Sequence, residues 1–408
     1  MTNLLWPGDH RAGALMSDET LLDNMIRVET AWLGVLARAG IAPAPCAGID
    51  LHRWVHAEDR AALALAAEDT GNPVPALVAL LRQRAGGEHG RWIHRGLTSQ
   101  DVLDTALMLA FRSATEVIKS QLSRQASALI TLAERYRETP TLARTLTQPA
   151  VPTTFGVKAA VWLDGVVDAY ERIMVVTTPI QIGSAGGTRS AIAELLALRS
   201  TPAAQPSNPE ELVETAAAEL DLDAWRPWHT ARAPVTNAGD ALVGCVDVWG
   251  RIASDVVTMV RPEIGELTEP GPVGRGGSST MPQKRNPILS ILIRRAAISA
   301  PQLSATLHVA AAFANDERPD GAWHAEWEPL RTLTRQVIIA GDQCAELLSG
   351  LQVHAEQMAA NLARFDVLAE QRVIAELSGK PASETYLGEC ARLVDGTVER
   401  ARRTIADL

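Results

Sequence analysis

Residues 97–139 contain neither glycine nor proline. Within them Val102, Ala106, Leu107, Ala110, Ala114, Val117, Ile118, Leu122, Leu129, Ile130 and Ala133 recur at spacings of three and four, the mark of an apolar stripe along an α-helix. One long helix is predicted, with Thr98 and Ser99 as cap candidates and Asp101 in its first turn. About forty residues at roughly 1.5 Å each would span about 60 Å, longer than an ordinary domain is wide. A helix of that length belongs in an extended bundle. Similar patterning at about 157–176, 238–260, 288–313 and 329–348 supplies its partners. The expectation is an α-rich bundle core with shorter helices before it and a small helical cap after the break at Gly350, in two or three domains or one large helical body.

The chain has 408 residues, 47% of them hydrophobic and 21% charged, enough for a large core and inconsistent with wholesale disorder. Its 38 Lys and Arg against 48 Asp and Glu give a net charge of −10, the wrong sign for a general nucleic-acid or anionic-membrane binder. A small anionic substrate is still allowed, because a local group of cations can dominate a pocket. The opening MTNLLWPGDHRAG lacks a basic segment followed by an apolar one, and no later run approaches eighteen apolar residues. A cytoplasmic protein is expected. Cys46, Cys245, Cys344 and Cys390 lie far apart with no CxxC, and no HxxxH or HxH pair occurs, so reduced structural thiols and no metal site are expected.

The least helix-like segment is GPVGRGGSSTMPQKRNP at 271–287, a glycine- and proline-rich loop between two helical stretches. Such a loop is costly in backbone entropy and marks a functional candidate. Ser278 and Ser279 follow two glycines, with Lys284 and Asn286 just beyond. A serine hydroxyl is a poor base at neutral pH unless a cation and hydrogen-bond donors stand beside it, and Lys284 and backbone amides could supply both. Without further information the segment also fits a surface hinge.

GSSTMPQKRNP at 277–287 resembles the signature loop of the fumarase/aspartase superfamily, G-S-S-x-M-P-x-K-x-N-P. That resemblance implies a proton-abstracting role for Ser278, with Lys284 and Asn286 holding a substrate carboxylate and ordering the loop, and Ser279 and Met281 beside the substrate. The choice of Ser278 over Ser279 rests on the family pattern. Two further blocks extend the resemblance over nearly the whole chain. HRGLTSQDVLDTAL at 94–107 places Thr98 and Ser99 at a helix N-terminus, where they can cap the helix and donate to an anion. RTLTQPAVPTTFGVK at 144–158 offers Thr147 and Gln148 around a turn marked by Pro149 and Pro152. The superfamily further implies an all-α fold of three domains, here a helical domain at 1–97, a central long-helix bundle at 98–349 and a small helical domain at 350–408, and a homotetramer whose sites combine segments of three subunits.

Within the superfamily, adenylosuccinate lyases carry a histidine where this chain has Leu146. The GNPVP segment at 71–75, WHTAR at 228–232 and GAWHAEW at 321–327 are instead similar to bacterial 3-carboxy-cis,cis-muconate cycloisomerases. Expulsion of an amine requires protonation of nitrogen. A leaving carboxylate, whose acid has a pKa of about 4, needs no acid. The resemblance therefore implies cofactor-independent lactonisation of 3-carboxy-cis,cis-muconate, a small polycarboxylate, to a carboxymuconolactone, in which Ser278 delivers the proton to carbon; a fumarate-releasing or related β-eliminating lyase such as adenylosuccinate lyase is the alternative. Binding a tricarboxylate calls for several cationic donors, and Arg318, Arg232, Arg275 and Arg144 are the candidates. His229, beside Trp228, and His324 are read as substrate contacts or packed histidines. The glycine-rich 181–190 segment is read as a tight turn over the bundle end, with Thr188 near substrate.

Overall fold

The computed structural model describes residues 3–199 and 207–405. The N-terminal part carries α1 (Asp18–Arg38), α2 (Asp59–Thr70), α3 (Val74–Ala85) and α4 (Gly87–Trp92). The middle runs through α5 (Ser99–Arg135), β1 (Pro140–Thr145), β2 (Gln148–Thr154), α6 (Phe155–Met174), α7 (Ser190–Ala197), α8 (Pro209–Leu220), α9 (Ala233–Met259), β3 (Leu267–Thr268), α10 (Ile288–Ala312) and α11 (Ala322–Ser349). After β4 (Gln352–Val353) come α12 (Ala355–Leu362), α13 (Ala369–Ser378) and α14 (Cys390–Thr404). The fold is all-α, with two minor two-stranded sheets among the described residues.

Helices α5, α6, α9, α10 and α11 pack against one another as the central bundle. We call the end at the start of α5 the head and the opposite end the foot. At the head, Thr105 Oγ1 donates to the Gln181 carbonyl at 3.0 Å, and Trp323 Nε1 donates to Asp104 at 2.8 Å. At the foot, the Leu289 and Ser290 amides at the start of α10 donate to the Glu269 carboxylate. Between them the core is apolar with a few polar bolts. Trp249 Nε1 donates to Gln125, whose amide donates to the Gly341 carbonyl at 2.8 Å. A Cβ on Gly341 would stand 2.2 Å from Gln121 Oε1, so glycine lets α11 approach α5. Each large apolar side chain sealed here contributes about 1.5–3 kcal/mol.

Two expectations shift. Helix α11 begins at Ala322, seven residues before Pro329. Pro329 forfeits one bond to the Ala325 carbonyl, but burial of Ala322, Trp323 and Leu330 holds the preceding turns. The turn read around Pro149 and Pro152 is instead a β-hairpin, β1 pairing with β2 from Pro140↔Thr154 to Thr145↔Gln148. Its connection is Leu146–Thr147, both at positive φ, 47° and 72°. This two-residue geometry favours Asn-Gly, so the usual hairpin signal was absent. Helix α14 returns to the bundle, where Arg400 binds Asp164, Asp168 and Glu171 on α6. The four cysteines are unpaired, and burial pushes the Cys245 thiol up to about 12.

Candidate functional site

The signature loop hangs from the foot by a narrow neck. The Asn286 amide donates to the Gly276 carbonyl at 2.8 Å, and its side-chain Nδ2 donates to the same oxygen at 2.9 Å. Gly276 sits at φ 73°, and a Cβ there would lie 2.2 Å from the Asn286 carbonyl oxygen. Only glycine fits this neck. Beyond it, Ser278 Oγ accepts the Thr280 and Met281 amides at 3.3 and 3.2 Å. Two N–H groups aimed at one hydroxyl oxygen favour its alkoxide form. No such pair converges on Ser279 among the described residues. Lys284 is exposed and forms no ion pair among the described residues. A cavity of about 500 Å3 beneath the loop is lined by Glu269, Arg275, Lys284 and Asn286 but not by Ser278. Ser279 and Met281 are exposed beside it.

Thr147 and Gln148 also lie at the foot, on the hairpin. Arg144 in β1 donates to Glu266 through both terminal nitrogens, at 2.9 and 2.7 Å. Glu266 is fully buried and also receives Asn361 Nδ2 of α12 at 2.8 Å. The hairpin is thereby fixed to the segment that leads into the loop. Its tip residue Leu146 is 96% exposed.

At the head, the Thr98 amide donates to the Asp101 carboxylate at 3.0 Å, and Thr98 Oγ1 receives Arg318 Nη1 at 3.1 Å. The Arg318 guanidinium lies over the Trp323 ring, 5.1 Å from its centre. Ser99 begins α5 beside it, half-buried. Asp101 is a buried hub: its oxygens accept the Thr98, Gly183 and Ser184 amides and Gln181 Nε2, and His229 Nε2 lies 3.0 Å away. The 181–184 stretch is therefore a strap on Asp101, while Thr188 is hydrogen-bonded to Ser190. His324 is exposed and packs edge-on against Trp323 and at a tilt on Trp327.

Several expected contacts are corrected. Arg232 is 3% exposed, and all five of its N–H groups are used, on Asp104, Glu326 and the Trp228 and His229 carbonyls. Burial works against its charge, yet the two carboxylates outweigh burial and raise its pKa. Burial raises the Glu326 carboxyl pKa, with Arg232 opposing. Arg232 is thus a structural cation with no donor left for a ligand. His229, 4% exposed, sits under the head. Arg144 is tied to Glu266, and Arg275 to Glu346 and the Pro270 carbonyl. Of the four arginines expected to face substrate, Arg318 alone avoids a carboxylate partner among the described residues.

The two ends stay apart. Along α11, Trp323 bonds Asp104 at the head and Glu346 bonds Arg275 near the loop; 23 residues of helix at roughly 1.5 Å make about 35 Å. One chain brings Ser278, Ser279, Met281, Lys284, Asn286, Thr147 and Gln148 to the foot. It brings Thr98, Ser99, His229, Arg232, Arg318 and His324 to the head. Sequence reading missed Gly276, Glu346 and the Asp101 hub; the Asp101–Asp104 spacing, inward on the first turn of α5, was the available signal. Among the described residues no three His, Cys, Asp and Glu side chains converge as metal ligands, and no helix is long and apolar enough to cross a membrane.

A family model described as Lyase matches residues 16–301. Nitrosuccinate lyase of Streptomyces davaonensis is 43% identical over 357 residues, 86% of this chain and 74% of that one. The 3-carboxy-cis,cis-muconate cycloisomerase of Pseudomonas aeruginosa is 37% identical over 391 residues, 93% of this chain and 82% of that one. Among solved structures, the 3-carboxy-cis,cis-muconate lactonizing enzyme of Pseudomonas putida superposes with a TM-score of 0.81 at 27% identity, covering 96% of this chain and 97% of that one.

Proposed function

The chain belongs to the Lyase family of the fumarase/aspartase superfamily, and from that membership we propose that it cleaves a substituted succinate by β-elimination, with a nitrosuccinate as substrate and fumarate and nitrite as products. One observation carries the choice of a dicarboxylate: three of the four candidate arginines are neutralised within the chain, by Glu266, by Asp104 with Glu326, and by Glu346. Arg318 keeps its charge without a carboxylate partner among the described residues, as does Lys284 of the loop, and these can meet the two carboxylates of a succinate. The identity of 43% to a nitrosuccinate lyase supports the same substrate class.

In this reading the Ser278 alkoxide, held by the Thr280 and Met281 amides, takes a proton from the methylene carbon. The C–H electron pair forms the new double bond, the C–N bond breaks, and its pair leaves with nitrite. Charge that builds on the carboxylate next to the deprotonated carbon is met by Lys284. Nitrite is weakly basic, so its departure needs no general acid, and the hairpin tip carries Leu146, which has no proton to give. No cofactor enters these steps. A complete site requires head and foot of different copies, given their separation of about 35 Å along α11. The outward face of α10 exposes Ile291, Ile298 and Val309, with Phe313 just past its end. That apolar stripe supports self-association, and we propose a homotetramer, acting in the cytoplasm.

A second reading is lactone closure of 3-carboxy-cis,cis-muconate, favoured by 37% identity over 93% of the chain. There one substrate carboxylate adds to its own diene and the Ser278 hydroxyl protonates the neighbouring carbon. Both readings are tested by incubating purified protein with each substrate separately. Nitrite by colorimetry and fumarate by NMR are expected from nitrosuccinate. Loss of diene absorbance with a carboxymuconolactone in the NMR spectrum, and no nitrite from nitrosuccinate, would reverse the order. Adenylosuccinate, whose amine must be protonated, is expected to remain intact.

A further inference from the structure

Glu29 on α1 is fully buried, and its Oε2 has no hydrogen-bond partner. Its Oε1 lies 2.6 Å from Nδ1 of His94. His94 holds a left-handed backbone, φ 63°, a conformation that costs a non-glycine residue about 1–2 kcal/mol. Such strain persists where the surroundings impose it, and here they do. The Ile93 carbonyl accepts Arg82, the Arg95 carbonyl accepts Trp32 Nε1 at 2.7 Å, and the Gly96 carbonyl accepts Ser184 Oγ at 2.6 Å. The segment is thus clamped by α1, α3 and the Asp101 strap just before Thr98. With Nδ1 committed to Glu29, the open ring nitrogen is Nε2, which has no partner among the described residues, and the side chain is 16% exposed.

We propose that His94, oriented by Glu29, is a third cationic group at the head of the site and that it receives the substituent leaving the succinate. This rests on the elimination reading: with Arg318 and Lys284 matched to the two carboxylates, the departing anion is the group still unmatched. Glu29 acts as a positioning residue that fixes the ring and holds its proton. The charged neighbours agree. Burial works against a charge on His94, but Glu29 outweighs it, Asp101 on α5 adds to it and Arg82 on α3 opposes, so the pKa rises above its ordinary 6.5. The imidazolium is present below that raised pKa and is lost as pH rises through it.

The test compares wild type, His94→Asn and Glu29→Gln on nitrosuccinate across about pH 5.5–9, together with nitrite binding measured by calorimetry. Asparagine tolerates the left-handed backbone. Wild-type kcat and nitrite affinity are expected to fall about tenfold per pH unit above the His94 pKa, the limit for one essential proton. His94→Asn is expected to lower kcat about 10–100-fold below that pKa, flatten the profile and change KM less than about threefold. Glu29→Gln shifts the falling limb toward acid while keeping a limb, which a merely structural role would not do. A His94→Asn protein with wild-type profile and nitrite affinity overturns the proposal even if nitrosuccinate is cleaved. If nitrosuccinate is untouched yet nitrite binds with a His94-dependent pH profile, the substrate reading fails and the anion site stands. Absence of nitrite binding at every pH removes the anion site.

Discussion

Replacing Arg232 by methionine removes the one cation between two buried carboxylates. Asp104 would keep Trp323 Nε1 at 2.8 Å and Gln100 Nε2 at 3.2 Å. Glu326 would keep nothing, because both of its oxygens are held by Arg232 alone among the described residues. Leaving a charge buried without its partner costs about 3–5 kcal/mol, a large share of the roughly 5–15 kcal/mol that holds a folded chain. The double variant Arg232→Met/Glu326→Met removes the orphan and is expected to recover at least about 2 kcal/mol. Urea unfolding at fixed protein concentration reads the difference, with Trp228 and Trp323 beside the cluster as reporters. The pH dependence has a definite sign. Glu326 has a raised pKa in the folded state and loses its arginine in the single variant, so the variant binds a proton more readily folded than unfolded. Its deficit is therefore largest near about pH 8 and shrinks toward pH 5. A single variant within about 1 kcal/mol of wild type at pH 8, or a double variant no better than the single, would refute this account of the cluster.

Other perturbations separate chemistry from packing. Ser278→Ala is expected to keep the wild-type melting temperature and lose about a thousandfold or more in kcat, whereas Ser279→Ala keeps most of its activity; the reverse ranking would move the base to Ser279. Gly276→Ala must open the neck, losing two bonds of about 1 kcal/mol each plus about 1–2 kcal/mol of backbone strain. Activity is expected to drop about 100-fold with a fall of roughly several degrees in melting temperature, and hydrogen exchange at the Asn286 amide should speed up; unchanged exchange would contradict the neck. Light scattering is expected to give a tetramer, and Ile298→Arg to dissociate it with loss of turnover. An active monomer would dispose of the shared site.

The bundle was legible because its helices announce themselves: a glycine- and proline-free run became Ser99–Arg135, and the stretch near 238–260 became Ala233–Met259. The β-hairpin was not, because leucine and threonine occupy a turn where Asn-Gly is the usual sign, and two prolines sit in β2. The loop was readable as a contiguous motif. The status of Arg232 was not, because its carboxylates come from positions 128 and 94 residues away, on α5 and α11. A sequence shows that a cation exists, but only the fold shows what has neutralised it. The same holds for Arg144 and Arg275, and for His94, whose partner lies 65 residues upstream.

Leu146 stands almost wholly outside its own chain's packing, at the tip of a hairpin whose anchoring is done by Arg144, Glu266 and Asn361. Its replacement disturbs no core, no cap and no ion pair of the subunit that carries it. Selection can therefore try different side chains at that point while the scaffold stays as it is. Under the proposed elimination, drift at this one exposed position changes the group expelled, so descendants with the same bundle would diverge in substrate before they diverge in fold.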